Sequence, residues 1–135
     1  MTTSLTLAQF RTQFGTTPER QRLLDELDSF LAQLQFNFKM YRVLAYGSFL
    51  SQKPVPGDID VMVSVSSALS DPGFNKFKKL QELATEEVDV FTLNLKNSFG
   101  IADPVPDADS MVSAFNSRKA HLAKGIQCQD AIELL

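Results

Sequence analysis

Asp58 and Asp60 stand two residues apart where an apolar run begins, and Asp89 has a similar setting, Val88-Asp89-Val90. Alternate side chains of a strand point to opposite faces, so Asp58 and Asp60 share one face while Ile59 and Val61 enter the core. If the two strands are neighbours, three carboxylates converge on one patch. Convergent carboxylate oxygens suit Mg²⁺, a hard cation that binds carboxylates together with substrate phosphates. Upstream, Tyr46-Gly47-Ser48 closes a strand and opens a turn. Gly47 lets the backbone come close to a ligand. Ser48 can cap the next turn, so that its free N–H groups face an anion. The combination reads as a phosphate cradle beside a metal site. Each part also has a plainer reading: Asp58 and Asp60 as loop-end acids, Gly47-Ser48 as a bare turn, Asp89 as an edge-strand acid.

The elements that must position these residues follow from periodicity. Leu7, Phe10, Arg11 and Phe14 mark a short amphipathic helix ended by Gly15. Thr16-Thr17-Pro18-Glu19 is a helix start, with a Thr cap, Pro in the first turn and Glu three positions after Thr16. Leu23, Leu24, Leu27, Phe30, Leu31 and Leu34 then recur at helical steps along one face. Arg42 to Tyr46 and Ile59 to Val65 read as strands, joined by a polar, proline-containing segment. A second long helix is expected from about Ser70-Asp71-Pro72, turning Phe74, Phe77, Leu80 and Leu83 inward. Val88 to Leu95 is a third strand, apolar enough on both faces to lie inside a sheet. Asn97 to Ala108, with Gly100, Pro104 and Pro106, reads as a loop, and a short helix with Met111, Val112 and Phe115 follows. Gly125 to Leu135 stays open between a final strand and a terminal helix. The order helix, strand, strand, helix, strand predicts an α/β (α+β) fold, a small mixed β-sheet with helices packed on it.

The run Ala45-Tyr46-Gly47-Ser48, nine residues, then Asp58-Ile59-Asp60-Val61 resembles the signature of the DNA polymerase beta-type nucleotidyltransferase superfamily, with Asp89 as the matching third acid. The resemblance covers Arg42 to Leu95. It implies the minimal nucleotidyltransferase fold and transfer of a nucleoside monophosphate from an NTP such as ATP, with two Mg²⁺ (or Mn²⁺) ions and release of pyrophosphate. By the same resemblance Gly47 and Ser48 hold the triphosphate, Asp58 and Asp60 bind both metals, and Asp89 binds the catalytic metal and helps deprotonate the acceptor. Small members carry a basic residue just after Gly-Ser. Here the run is Gly47-Ser48-Phe49-Leu50-Ser51-Gln52-Lys53, so Lys53 is the one cation of the loop and the candidate to take that place. This loop and Lys124-Gly125-Ile126 resemble a bacterial branch of small nucleotidyltransferase-like proteins. Stand-alone members of the superfamily are often antitoxins that modify a cognate toxin, which makes a protein acceptor one expectation. A small-molecule hydroxyl is a second, and a nucleotide-binding or partner-binding module with weak catalysis a third.

Composition narrows the class further. A chain of 135 residues with 44% hydrophobic and 21% charged residues reads as one globular domain, 1–135, with its N-terminal helices at about 6–36. A net charge of −3 excludes a general nucleic-acid coat. No apolar run approaches the roughly 20 residues that span a bilayer, and Met1 to Phe10 lacks the basic start and apolar core of a secretory signal. The lone Cys128 forms no internal disulfide and reads as a small buried hydrophobe. A cytoplasmic address is expected. Arg118, Lys119, His121 and Lys124 form a basic stretch, read as a solvated face or as a contact for a nucleotide or acidic partner.

Overall fold

Thr6 and Thr17 set the entry of the chain into its first two helices. In the computed structural model, which describes residues 2–38, 41–51, 56–65, 76–92, 107–118 and 131–135, α1 spans Leu7–Phe14 and α2 spans Pro18–Asn37. Thr6 closes a capping box: its hydroxyl accepts from the Gln9 N–H, and the Gln9 side chain accepts from the Thr6 N–H. The start of α2 differs by one residue from the expected Thr16–Glu19 pairing. Pro18 occupies the first turn, its fixed φ places Thr17 at the cap, and the Thr17 hydroxyl accepts from the Arg20 N–H at 3.2 Å.

The strands are β1 (Thr3–Leu5), β2 (Tyr41–Tyr46), β3 (Ile59–Val65), β4 (Val88–Thr92) and β5 (Ile132–Leu134), and they form one mixed sheet in the order β1-β5-β2-β3-β4. β1 runs parallel to β5 and β3 parallel to β4, while β2 is antiparallel to both its neighbours. The fold is therefore α+β, as the element order predicts. Two further helices, α3 (Lys76–Leu83) and α4 (Ala108–Asn116), complete the described elements. Among the described residues no helix is long and apolar enough to cross a membrane.

Both faces of the sheet are covered. Val43, Ala45, Ile59, Val61, Val63 and Val88 join Leu23, Leu27, Phe30 and Leu34 of α2 in the larger core. On the opposite face Leu44 and Met62 pack against Ala108, Met111 and Phe115 of α4. Asp107 caps α4 by accepting from the Ser110 N–H at 2.7 Å. Asp109 ties the same first turn to the N-terminus, accepting from the Thr2 N–H at 2.6 Å and the Thr2 hydroxyl at 2.7 Å.

Three readings change or gain detail. β1 was not foreseen, because its three residues carry no period of their own and gain strand geometry only by pairing with β5. The open reading of residues 125–135 resolves in part to a strand, β5, placed between β1 and β2. β4 was expected inside the sheet and is instead the last strand among the described residues. Its second face is apolar because Phe91 meets Phe115 of α4, with ring centroids 5.1 Å apart. The described part of β4 ends at Thr92, and the expected continuation to Leu95 lies outside the described residues. The expected start of the long helix near Ser70, with Phe74, lies outside them too, as does the side chain of Phe77. Leu80 of α3 is buried as predicted.

Candidate metal centre beside a glycine turn

β3 enters the sheet at Ile59 with Asp58 just before it, and β2 leaves the sheet at Tyr46 beside it. In register, Tyr46 of β2 lies opposite Asp60 of β3, and Asp60 lies opposite Asp89 of β4. The parallel pairing of β3 with β4 thus brings Asp89 onto the face that Asp58 and Asp60 share. One ligand oxygen from each of the three carboxylates lies within 4.8 Å of the others. Asp58 and Asp60 are partly buried and Asp89 is exposed. The convergence expected of Asp58, Asp60 and Asp89 is present.

Burial, then the charges of Asp58 and Asp89 and a hydrogen bond with Asp89, together raise the Asp60 pKa to about 6. Two physical facts account for this. The Asp60 carboxyl is half-buried at the start of β3, and two like charges stand beside it. On the same face of the sheet Phe115 meets Tyr46 at 5.0 Å and Phe91 at 5.1 Å, both edge-on. Oxygen ligands of this kind fit a hard divalent cation, and a carboxyl held above its ordinary pKa marks negative charge that a cation would neutralise.

Gly47 opens a 3-10 turn over Gly47–Leu50 with a φ of +80°. A side chain there would place its Cβ 2.6 Å from Oδ2 of Asp60. Glycine is required because the backbone passes directly over the central acid. The expected cap at Ser48 is not present. The positive φ of Gly47 sends the chain straight into the turn, so Tyr46 takes the cap position without a side-chain cap bond and Ser48 is exposed inside the turn. The Ser48 carbonyl accepts from the N–H and the hydroxyl of Ser51. Lys53 lies outside the described residues, as do Lys119, His121, Lys124 and Cys128.

Arg20 supports this turn from below and was missed in the sequence. It is only 2% exposed, and its guanidinium donates to the carbonyls of Phe14, Phe49 and Ser51 while lying 4.8 Å over the Phe49 ring. It joins the end of α1, the start of α2 and the Gly47–Leu50 turn. The sequence signal was available: Arg20 precedes Leu23 by three and Leu27 by seven, so a cation sits in the apolar stripe. Arg20→Met keeps the stem and strips these donors from buried carbonyls. It is expected to destabilise the protein by about 2 kcal/mol in urea melts. A change below about 0.5 kcal/mol, the range of ordinary surface substitutions, would mean that Arg20 does not anchor the turn.

A protein-family profile described as a family of unknown function (DUF6932) matches residues 2–128, so the chain belongs to that family. No curated protein and no solved structure matches the chain.

Proposed function

We propose that this member of the DUF6932 family is a Mg²⁺-dependent nucleotidyltransferase that moves a nucleoside monophosphate, AMP from ATP, onto a hydroxyl of a protein or other acceptor. The observation that carries this reading is the register of Asp60 against Asp89, with Asp58 alongside and ligand oxygens within 4.8 Å of one another. Asp58, Asp60 and Asp89 would hold the metal. When bound, Mg²⁺ (or Mn²⁺ in its place) would lower the pKa of the attacking hydroxyl and neutralise charge on the transferring phosphoryl group.

The chain's own groups account for the remaining steps. Gly47 offers bare backbone beside the acids, where a triphosphate can approach without meeting a side chain. Asp89 is the exposed acid, the one an acceptor can reach, and would take the proton of its hydroxyl. The acceptor oxygen forms its bond to the α-phosphorus as the bond to the bridging oxygen of the β-phosphate breaks. Pyrophosphate leaves with that electron pair. Tyr46, opposite Asp60, and Phe91, two residues after Asp89, put aromatic rings beside the acids and would limit competing water there. A partner protein such as a cognate toxin is the acceptor class that the superfamily resemblance favours.

The test uses ATP labelled at the α-phosphate, Mg²⁺ and a cell extract as the acceptor source. The label is expected on an acceptor, to be lost on metal removal by EDTA, and to fall by about a thousandfold for Asp58→Asn or Asp89→Asn. Mg²⁺-dependent ATP binding without any transfer would leave a nucleotide-binding module of the same fold. Neither binding nor transfer would refute the reading.

A further inference from the structure

Phe91 follows Asp89 by two residues on β4, so both side chains stand on the α4 face, about 7 Å apart along the strand. The chain leaves α4 after Asn116 and brings Arg118 over Phe91, with the guanidinium carbon 4.8 Å from the ring centroid. Phe91 is itself held edge-on by Phe115. A guanidinium resting on an aromatic face is fixed in place while its N–H donors stay at its rim. Among the described residues Arg118 forms no salt bridge, and it is exposed. A positioned cation, with no salt-bridge partner among the described residues, therefore stands over the residue two positions after Asp89.

We propose that Arg118 binds the distal phosphates of the nucleoside triphosphate, an assignment that rests on the nucleotidyl-transfer reading above. The acids would hold a metal beside the reacting α-phosphate, so a cation displaced from them along β4 would meet the far end of the triphosphate. Guanidinium matches two phosphate oxygens at once, and the charge that builds on the leaving pyrophosphate falls where those donors are. The loop after Gly47-Ser48 has no arginine, and the helix end behind α4 supplies one from a different part of the chain. Phe91 is then a positioning residue that holds the cation away from the acids, which would otherwise capture it as an ion pair.

Calorimetry with Mg²⁺ present decides the matter, using ATP, AMP and inorganic tripolyphosphate as probes on wild type, Arg118→Ala and Arg118→Lys. Arg118→Ala is expected to weaken ATP and tripolyphosphate roughly 10- to 30-fold and AMP less than about twofold. Arg118→Lys keeps the charge but not the fork or the stacking, and should fall between wild type and Arg118→Ala. A merely structural arginine would not separate ATP from AMP. Wild type that binds ATP while Arg118→Ala binds it equally well overturns the assignment and leaves the transferase reading standing. Equal losses for ATP and AMP also overturn it. Wild type that binds none of the probes overturns the transferase reading and the assignment together. Should Arg118→Ala fail to fold, Arg118→Gln answers by the same comparison.

Discussion

Asp60→Asn is expected to stabilise the metal-free protein by about 2 kcal/mol near pH 8, or roughly 6 to 10 °C in melting temperature. In the folded chain the Asp60 carboxyl titrates at about 6, against 3.8 ordinarily. Between those values the native state holds a proton that the unfolded chain has released. Stability therefore falls as pH rises from about 4 to about 6, and the penalty persists in full above that window. Asparagine keeps the size and removes the charge, so the gain over wild type should be greatest near pH 8. It should fade to almost nothing by about pH 3, below both pKa values, where Asp60 is protonated in both states. Mg²⁺ acts in the opposite sense. It binds the folded wild type and raises its melting temperature, and it does so less for a variant that has lost a ligand. Thermal melts over this pH range, with and without Mg²⁺, check both parts. A gain that ignores pH, together with equal Mg²⁺ effects, would mean that the three acids do not act as one site.

Gly47→Val is expected to cost about 3 kcal/mol or more and to abolish Mg²⁺-dependent ATP binding. Two separate penalties combine. A φ of +80° is strained for any residue with a Cβ, worth roughly 1 to 2 kcal/mol and more when that carbon is branched. The Cβ would also lie 2.6 Å from Oδ2 of Asp60, so the carboxylate must move from the place where its neighbours meet it. Gly47→Ala carries both effects in milder form and is the variant to use if Gly47→Val does not fold. The contact can be isolated by a double-mutant cycle with Asp60→Ala, which removes the obstructing oxygen. Gly47→Ala should then cost about 1 kcal/mol less than in the wild-type background. Additive losses would show that Gly47 and Asp60 do not touch. Undiminished MgATP affinity in a folded Gly47→Val protein would remove the cradle.

The aspartates and glycine of the site were legible in the sequence because the information is local. A period of two put Asp58 and Asp60 on one face, and the helical steps from Leu23 to Leu34 gave the buried stripe of α2. Thr17 and Pro18 marked a helix start for an equally local reason, since the orphan N–H groups of a first turn need an acceptor within a few residues. Partnership is not local. Nothing in Val88-Asp89-Val90 says that β4 runs parallel to β3 with Asp89 opposite Asp60, because strand order is decided by how helices pack across the whole sheet. The same holds for β1, whose strand character exists only against β5 at the other end of the chain. The partners of Arg20 are not local either, since the fold brings the Phe49 and Ser51 carbonyls to it. The raised pKa of Asp60 needed burial as well as its two acidic neighbours, and the pairing of β3 with β4 inside the folded sheet brings these together. A side chain's type and face follow from residues within one or two turns. Its solvation and its partners are set by segments that only the folded chain brings within a few ångströms.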